Sequence, residues 1–329
     1  MTSSTGGPPT EVRPANTAPP ELLLEMMQSV RKALIERGEA PAGEWTEQSS
    51  EGLRSGRLKG WYLPGDPARG LAFHSANGAL GYGHVHVTPG PRAVDDACTL
   101  VETTLGDLPG RVTAINLGFT GLRPEEERSA LQRLGNRPGS TTIRRIALER
   151  EVRGSDVEAG PKVPSGLMLR PIRSIPVDAL AEFDVRVFRG TVDAALMGDD
   201  LAECRRIFDE LLAGRMGRFL DEASIALVDP KAGTLVAAIL TAELSPRRAV
   251  FLDLMVDPDR RRAHVGTFLL AWGLRALWAM GYDRAHLWVT EDNRPARGLY
   301  DRFGFSQVAS AMIYRWSRPT PGPQAHVSR

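Results

Sequence analysis

Cysteine is scarce: the 329 residues hold two, Cys98 and Cys204, far apart and in no Cys-x-x-Cys pair. That argues against a disulfide framework or a structural zinc site and suits a reducing compartment. Net charge is almost absent. Forty-one Lys and Arg oppose 40 Asp and Glu, which leaves +1, so no overall field draws the chain onto nucleic acid or an anionic membrane. Any anion site must be local. No apolar run reaches the 18 residues of a membrane span; residues 268–280 come closest, and Arg275 interrupts them. The first 20 residues lack a basic segment followed by an apolar one, so no secretory leader is expected. These absences predict a cytoplasmic, soluble protein with neither nucleic acid nor membrane as partner.

What is present is ordinary for a globular chain: 42% hydrophobic and 25% charged residues. At this length two domains are expected. Residues 1–19, rich in Thr, Ser, Gly and Pro, read as a disordered tail, and so do residues 318–329. Helical spacing over 21–37 is followed by short strands at 61–63, 71–73 and 80–87. A helix at 93–105, a strand at 112–119, a helix at 125–134 and a strand at 141–148 come next. Residues 152–165 carry Gly, Pro and charge without an apolar period, and they read as a linker or a surface loop between domains at 20–151 and 166–317. The second domain reads as a strand, two helices, three strands at 224–229, 234–244 and 250–256, a long helix at 265–280, then strand, helix and strand.

The run VFLDLMVDPDRRRAHVGTFLL, residues 250–270, carries the most chemistry. An apolar strand ends at Val256, a turn with three arginines follows, and Gly266 opens a helix. The first N–H groups of a helix have no partner within it, and the dipole adds partial positive charge there. A phosphate or pyrophosphate is the natural occupant. Gly266 permits close approach to the backbone, and Arg261 and Arg262 add cationic donors. The same pattern also describes a solvated loop.

A second run settles the direction of the reading. LWVTEDNRPARGLYDRFGF, residues 287–305, places Asn293, Ala296, Leu299 and Tyr300 on a helix ahead of Phe303-Gly304-Phe305. The pattern L-x-V-x-x-x-N-x-x-A-x-x-L-Y-x-x-x-G-F resembles the C-terminal signature of GNAT acetyltransferases. The run at 261–266 then resembles that superfamily's acyl-CoA loop, [Q/R]-x-x-G-x-[G/A], with Arg261 first and Gly266 last. The central glycine is replaced by His264. Residues 188–193 (FRGTVD) resemble a segment found in some members before the central sheet.

The resemblance implies an α/β (α+β) fold with a mixed, mostly antiparallel sheet flanked by helices. It implies acetyl-CoA or another acyl-CoA as co-substrate, with no metal. The cofactor would meet Leu254, Met255 and Val256 and the turn Arg261, Arg262, Ala263, His264, Val265, Gly266 and Thr267. Asn293 would orient it or cap the helix. Tyr300 would protonate the leaving sulfur, or serve as a core aromatic. Asp253 and Glu243 are candidate bases, or structural carboxylates. The expected activity is transfer of acetyl to a primary amine by direct attack in a ternary complex. The acceptor would be a small molecule or a peptide, and the protein a monomer or homodimer. The alternative is a non-catalytic acyl-CoA-binding or sensing module.

The first half echoes the second. HVHVTPGPRAVDDACTLV sets Val87, Pro89 and Arg92 opposite Val256, Pro258 and Arg261, with Asp95 and Ala97 in the places of His264 and Gly266. Two acids at a helix start suit the dipole but repel a pyrophosphate. The first half therefore reads as a degenerate GNAT-like copy that has lost acyl-CoA binding, or as an unrelated α+β domain. His84 and His86 alternate along one strand with no third metal ligand in view.

Overall fold

The computed structural model describes residues 11–37, 45–76, 78–154, 161–198 and 200–319. Most of both expected tails and the middle of the expected linker lie outside these residues. The described end of the first tail, residues 11–19, is ordered, against expectation. Arg13–Pro14 (β1) pairs with Tyr62 and Trp61, and Ala15 is fully buried.

Two compact units emerge. The first comprises residues 1–33, 46–143 and 312–329; the second comprises 34–45 and 144–311. In the first, the strand order is β1, β2 (Lys59–Leu63), β3 (Gly70–Ser75), β4 (Leu80–Val87), β5 (Ala114–Thr120) and the end of β12 (Ser306–Ser317). All neighbours are antiparallel except β4 and β5. In the second, the order is β7 (Met168–Pro171), β8 (Ile225–Asp229), β9 (Thr234–Ser245), β10 (Arg248–Val256), β11 (Arg284–Thr290) and the later part of β6 (Ser140–Glu151). Again one pair alone, β10 with β11, is parallel. The same sequence of pairings occurs twice, which is the internal repeat expressed in structure.

Chain order and unit membership differ from the sequence reading at one point. The strand expected to close the second domain, within 311–316, ends against β5 of the first unit, and residues 145–151 of β6 border β11 in the second. Domain limits at 151 and 166 therefore do not describe which residues pack together.

Each core follows from alternation on strands and the 3.6-residue period on helices. In the first unit α3 (Ala93–Gly106) and α4 (Pro124–Gly135) bury Leu100, Val101, Leu131 and Leu134 against Val85, Ile115 and Leu117. In the second, α8 (Val265–Ala279) buries Leu269, Leu270, Leu274 and Leu277 on one face of the sheet. At Gly273 the helix comes close to β10: a Cβ there would stand 2.7 Å from the Phe251 ring. The other face is covered by α5 (Val177–Phe188) and α7 (Leu201–Leu212), which enclose Leu180, Phe183 and Phe208 with Met255. The short helix α6 (Ala194–Met197) and α9 (Arg294–Arg302) complete this unit. Among the described residues no helix is long and apolar enough to cross a membrane.

Candidate active site

The site begins where two strands part. β10 and β11 pair from Arg248↔Arg284 to Phe251↔Leu287 and no further. At the same point the β10–β9 register shifts between Phe251 and Asp253, so Leu252 is an extra residue in the ladder. A bulge of this kind bends its strand and re-aims the residues beyond it. Leu254 and Val256 then border a cavity of about 850 Å3, closed on other sides by Asp193, Asn293, Leu299 and Tyr300.

The cavity ends at the turn before α8. Arg262 and His264 both have left-handed backbones, with φ of 65° and 59°. A left-handed backbone is easiest for glycine, and among other residues His, Asn and Asp adopt it most readily. His264 thus holds the conformation expected of the glycine it replaces. Among the described residues, the N–H groups of 262–267 donate to no protein acceptor; the first helical bond is Phe268 N–H to His264 O at 3.0 Å. Gly266 keeps the floor low: a Cβ there would stand 3.3 Å from Leu299 and 3.7 Å from Val256. Hydrogen bonds to a charged group contribute about 1.5–3 kcal/mol each, so a few such donors outweigh an exposed arginine contact of at most about 1 kcal/mol.

Arg260, Arg261 and Arg262 all line the cavity. Arg261 also donates through Nη2 to the Val187 carbonyl at 2.9 Å and so ties the turn to the end of α5. Arg260 reaches Asp229 at 3.3 Å. Ala263 does not line the cavity, and Met255 points away into the core beneath α5 and α7.

Tyr300 is buried, packs edge-on against Phe305 and lines the cavity. Burial, followed by the charges of Asp253 and Asp193, pushes its hydroxyl well above the usual phenol range, so it keeps its proton at neutral pH. Asn293 fills the capping role. Its Oδ1 accepts from Ala296 N–H at 3.2 Å, which caps α9, and the residue borders the cavity. Its Nδ2 donates to Asp193 at 2.7 Å. Asp193 is a buried node that also accepts from the Thr290 hydroxyl and lies 3.5 Å from Arg145 Nη1. It fixes the end of β11 and the start of α9 in one arrangement.

Asp253 sits just past the bulge, where burial, followed by the charge of Asp184, pushes its carboxyl well above the usual range. Glu243 is not brought to the site. It lies near the opposite end of β9, level with Ala249, and bonds to Arg218 Nε at 2.6 Å and Tyr282 Oη at 3.2 Å. A strand carboxylate beside an apolar run looked alike in both cases; position along the strand separates them. Arg145, Asp184 and Thr290 were missed because their partners lie on other elements. Asp193 lay within the FRGTVD segment and carried some signal.

The first unit lacks each of these features. β4 and β5 stay paired over seven positions, from Leu80↔Ala114 to His86↔Thr120. Across that closed seam His84 Nε2 and His86 Nδ1 both bond to the Thr120 hydroxyl, at 2.7 and 2.9 Å. No described residue of the turn at 88–93 has a left-handed backbone. Asp95 and Asp96 stand at the helix start, 2.6 Å from Arg133 and 3.5 Å from Arg69.

A parted parallel strand pair, a left-handed turn and a helix N-terminus border one cavity of an α/β domain. Residues 193–305 match the family described as Acetyltransferase (GNAT) family, so this part of the chain is a GNAT domain. A mycothiol acetyltransferase from Clavibacter sepedonicus is 30% identical over 154 residues, 47% of each chain. One from Actinosynnema mirum is 25% identical over 230 residues, 69% of this chain and 72% of its own. The chain spans about half the length of most curated relatives it matches. Among solved structures, a tandem GNAT protein from the clavulanic acid biosynthesis pathway superposes with a TM-score of 0.61 at 14% identity, covering 94% of this chain and 100% of its own. That likeness concerns the fold.

Proposed function

We propose that the second unit transfers an acyl group, acetyl in the first instance, from coenzyme A to a primary amine. The observation that carries this reading is the gap between β10 and β11, which opens beside Tyr300 and runs to the free amides of 262–267. The diphosphate would rest on those amides, with Arg262 beside it. The thioester arm would pass Leu254 and Val256, with the free backbone of the parted β10 as its partner. The amine attacks the acyl carbon, Asp253 accepts its proton and Tyr300 protonates the departing sulfur. A buried phenol with a raised pKa holds its proton until a thiolate forms. The first unit, with its seam closed, would hold no second cofactor.

The relatives' names make the acceptor of mycothiol acetyltransferases the first amine to try. The test is thiol release from acetyl-CoA in the presence of that acceptor and a panel of primary amines. Amine-dependent release is expected. Tight acetyl-CoA binding with no release by any amine would reduce the protein to a binding module.

A further inference from the structure

The helix that carries Tyr300 buries little of itself. Of the nine residues of α9 only Tyr300 is buried, with Ala296 and Leu299 partly buried against the core. Tyr300 packs on Phe305 beyond the far end of the helix. The near end hangs on polar contacts that converge on one residue. The buried Asp193 carboxylate accepts from the Asn293 amide at 2.7 Å through Oδ2 and from the Thr290 hydroxyl through Oδ1. Arg145 Nη1 lies 3.5 Å from that same Oδ1. Arg145 also donates to the Trp288 carbonyl at 3.0 Å. Trp288 and Thr290 follow Leu287, the last residue of β11 paired with β10. The cluster therefore holds β11 where the neighbouring strand no longer does. The main-chain carbonyl of Asp193 accepts from Leu196 and Met197 N–H, at 2.8 and 3.1 Å, so the same residue also starts α6. Hydrogen bonds to an ionised carboxylate are shorter and stronger than neutral ones.

Tyr300 follows Asn293 by seven residues, close to two helical turns, so both lie on one side of α9. Both border the cavity, and so does Asp193. A general acid acts only within hydrogen-bond reach of the atom it protonates, and a misplacement of about 1 Å costs about 100-fold in rate. We infer that Asp193 is a positioning residue for acyl transfer: by fixing the start of α9 against the end of β11, it sets the Tyr300 hydroxyl at the leaving sulfur. The inference rests on the acyltransferase reading above. Asp193 neither gives nor takes a proton in it.

The test is a set of full-chain variants read by amine-dependent thiol release from acetyl-CoA. Asp193→Asn keeps the side-chain shape. Whichever way its amide turns, its NH2 group faces a donor, the Asn293 amide or the Arg145 guanidinium. It should lower kcat by about tenfold or more, with the acetyl-CoA Kd and the amine KM within about twofold of the parent. Adding Asn293→Asp exchanges donor and acceptor at that contact, and a carboxylate there can still cap α9 through Ala296 N–H. The Asp193→Asn/Asn293→Asp double variant should return kcat to within about threefold of wild type. In a Tyr300→Phe background, Asp193→Asn should cost less than about twofold, because its effect passes through the missing hydroxyl. Should Asp193→Asn fold poorly, Thr290→Val removes one donor to the carboxylate at nearly constant shape. It should lower kcat at least about threefold in the wild type and hardly at all in Tyr300→Phe. Equal losses with and without the Tyr300 hydroxyl, or no rescue by the exchange, overturn the inference. A raised amine KM at unchanged kcat also overturns it, since Asp193 would then hold the acceptor. A wild type that binds acetyl-CoA but acetylates no amine removes the acyltransferase reading, and the positioning role with it.

Discussion

Tyr300 carries two properties that a core aromatic need not combine: it borders the cavity and its hydroxyl is held neutral by burial and by two nearby acids. Removing only that hydroxyl isolates its role. Tyr300→Phe should lower kcat about 100-fold, in the range of a lost general acid. The Kd for acetyl-CoA, measured by calorimetry, should change less than about twofold. His286 tests a different residue-scale force. Fully buried on β11, it lies 3.2 Å from Arg248 and 3.6 Å from Glu149, and burial drives its pKa down to about 4. The folded state therefore binds fewer protons at this ring than the unfolded state, whose value is 6.5. Its contribution to stability is complete above pH 6.5 and is lost as the pH falls toward 4. His286→Gln lacks that titration, so its Tm should fall less than that of the wild type between pH 7 and pH 4.5.

At the scale of elements, the turn before α8 is where backbone and sequence disagree most openly. His264 at φ 59° occupies a conformation that costs a β-branched residue far more than glycine. His264→Gly should fold and bind acetyl-CoA like the parent, while His264→Val should lower stability by about 1–3 kcal/mol in denaturant titration. Elements with strong local signals were legible in advance. The long helix was expected at 265–280 and lies at Val265–Ala279; the strand expected at 250–256 lies at Arg248–Val256. The helix start at Arg294 followed from Asn293 as its cap. Trp45–Arg54 (α2) was not legible because few of its side chains are apolar: it buries Thr46, Ser49 and Ser50 beside Leu53. Arg261, at the cavity, also holds the turn in place through Val187, a contact that no sequence pattern announces.

At the scale of the whole chain, two copies of one pairing scheme differ at a single decisive place. In the second unit the parallel strands separate after Phe251; in the first they remain joined to the last residue of β5. The resemblance between residues 84–101 and 254–271 was visible in the sequence because turn and helix residues recur. The closed seam was not, since strand separation depends on which backbones find partners. The exchange of β6 and the end of β12 between units was hidden for the same reason. Among the described residues, this asymmetry leads us to expect acetyl-CoA binding in the second unit alone. The account stands on calorimetric titration of acetyl-CoA into the wild type and into Gly266→Val, whose side chain would fill the floor between Leu254, Val256 and Leu299. One molecule should bind per wild-type chain, with at least about tenfold weaker binding to the variant. Two molecules per chain, or undiminished affinity in Gly266→Val, would contradict it.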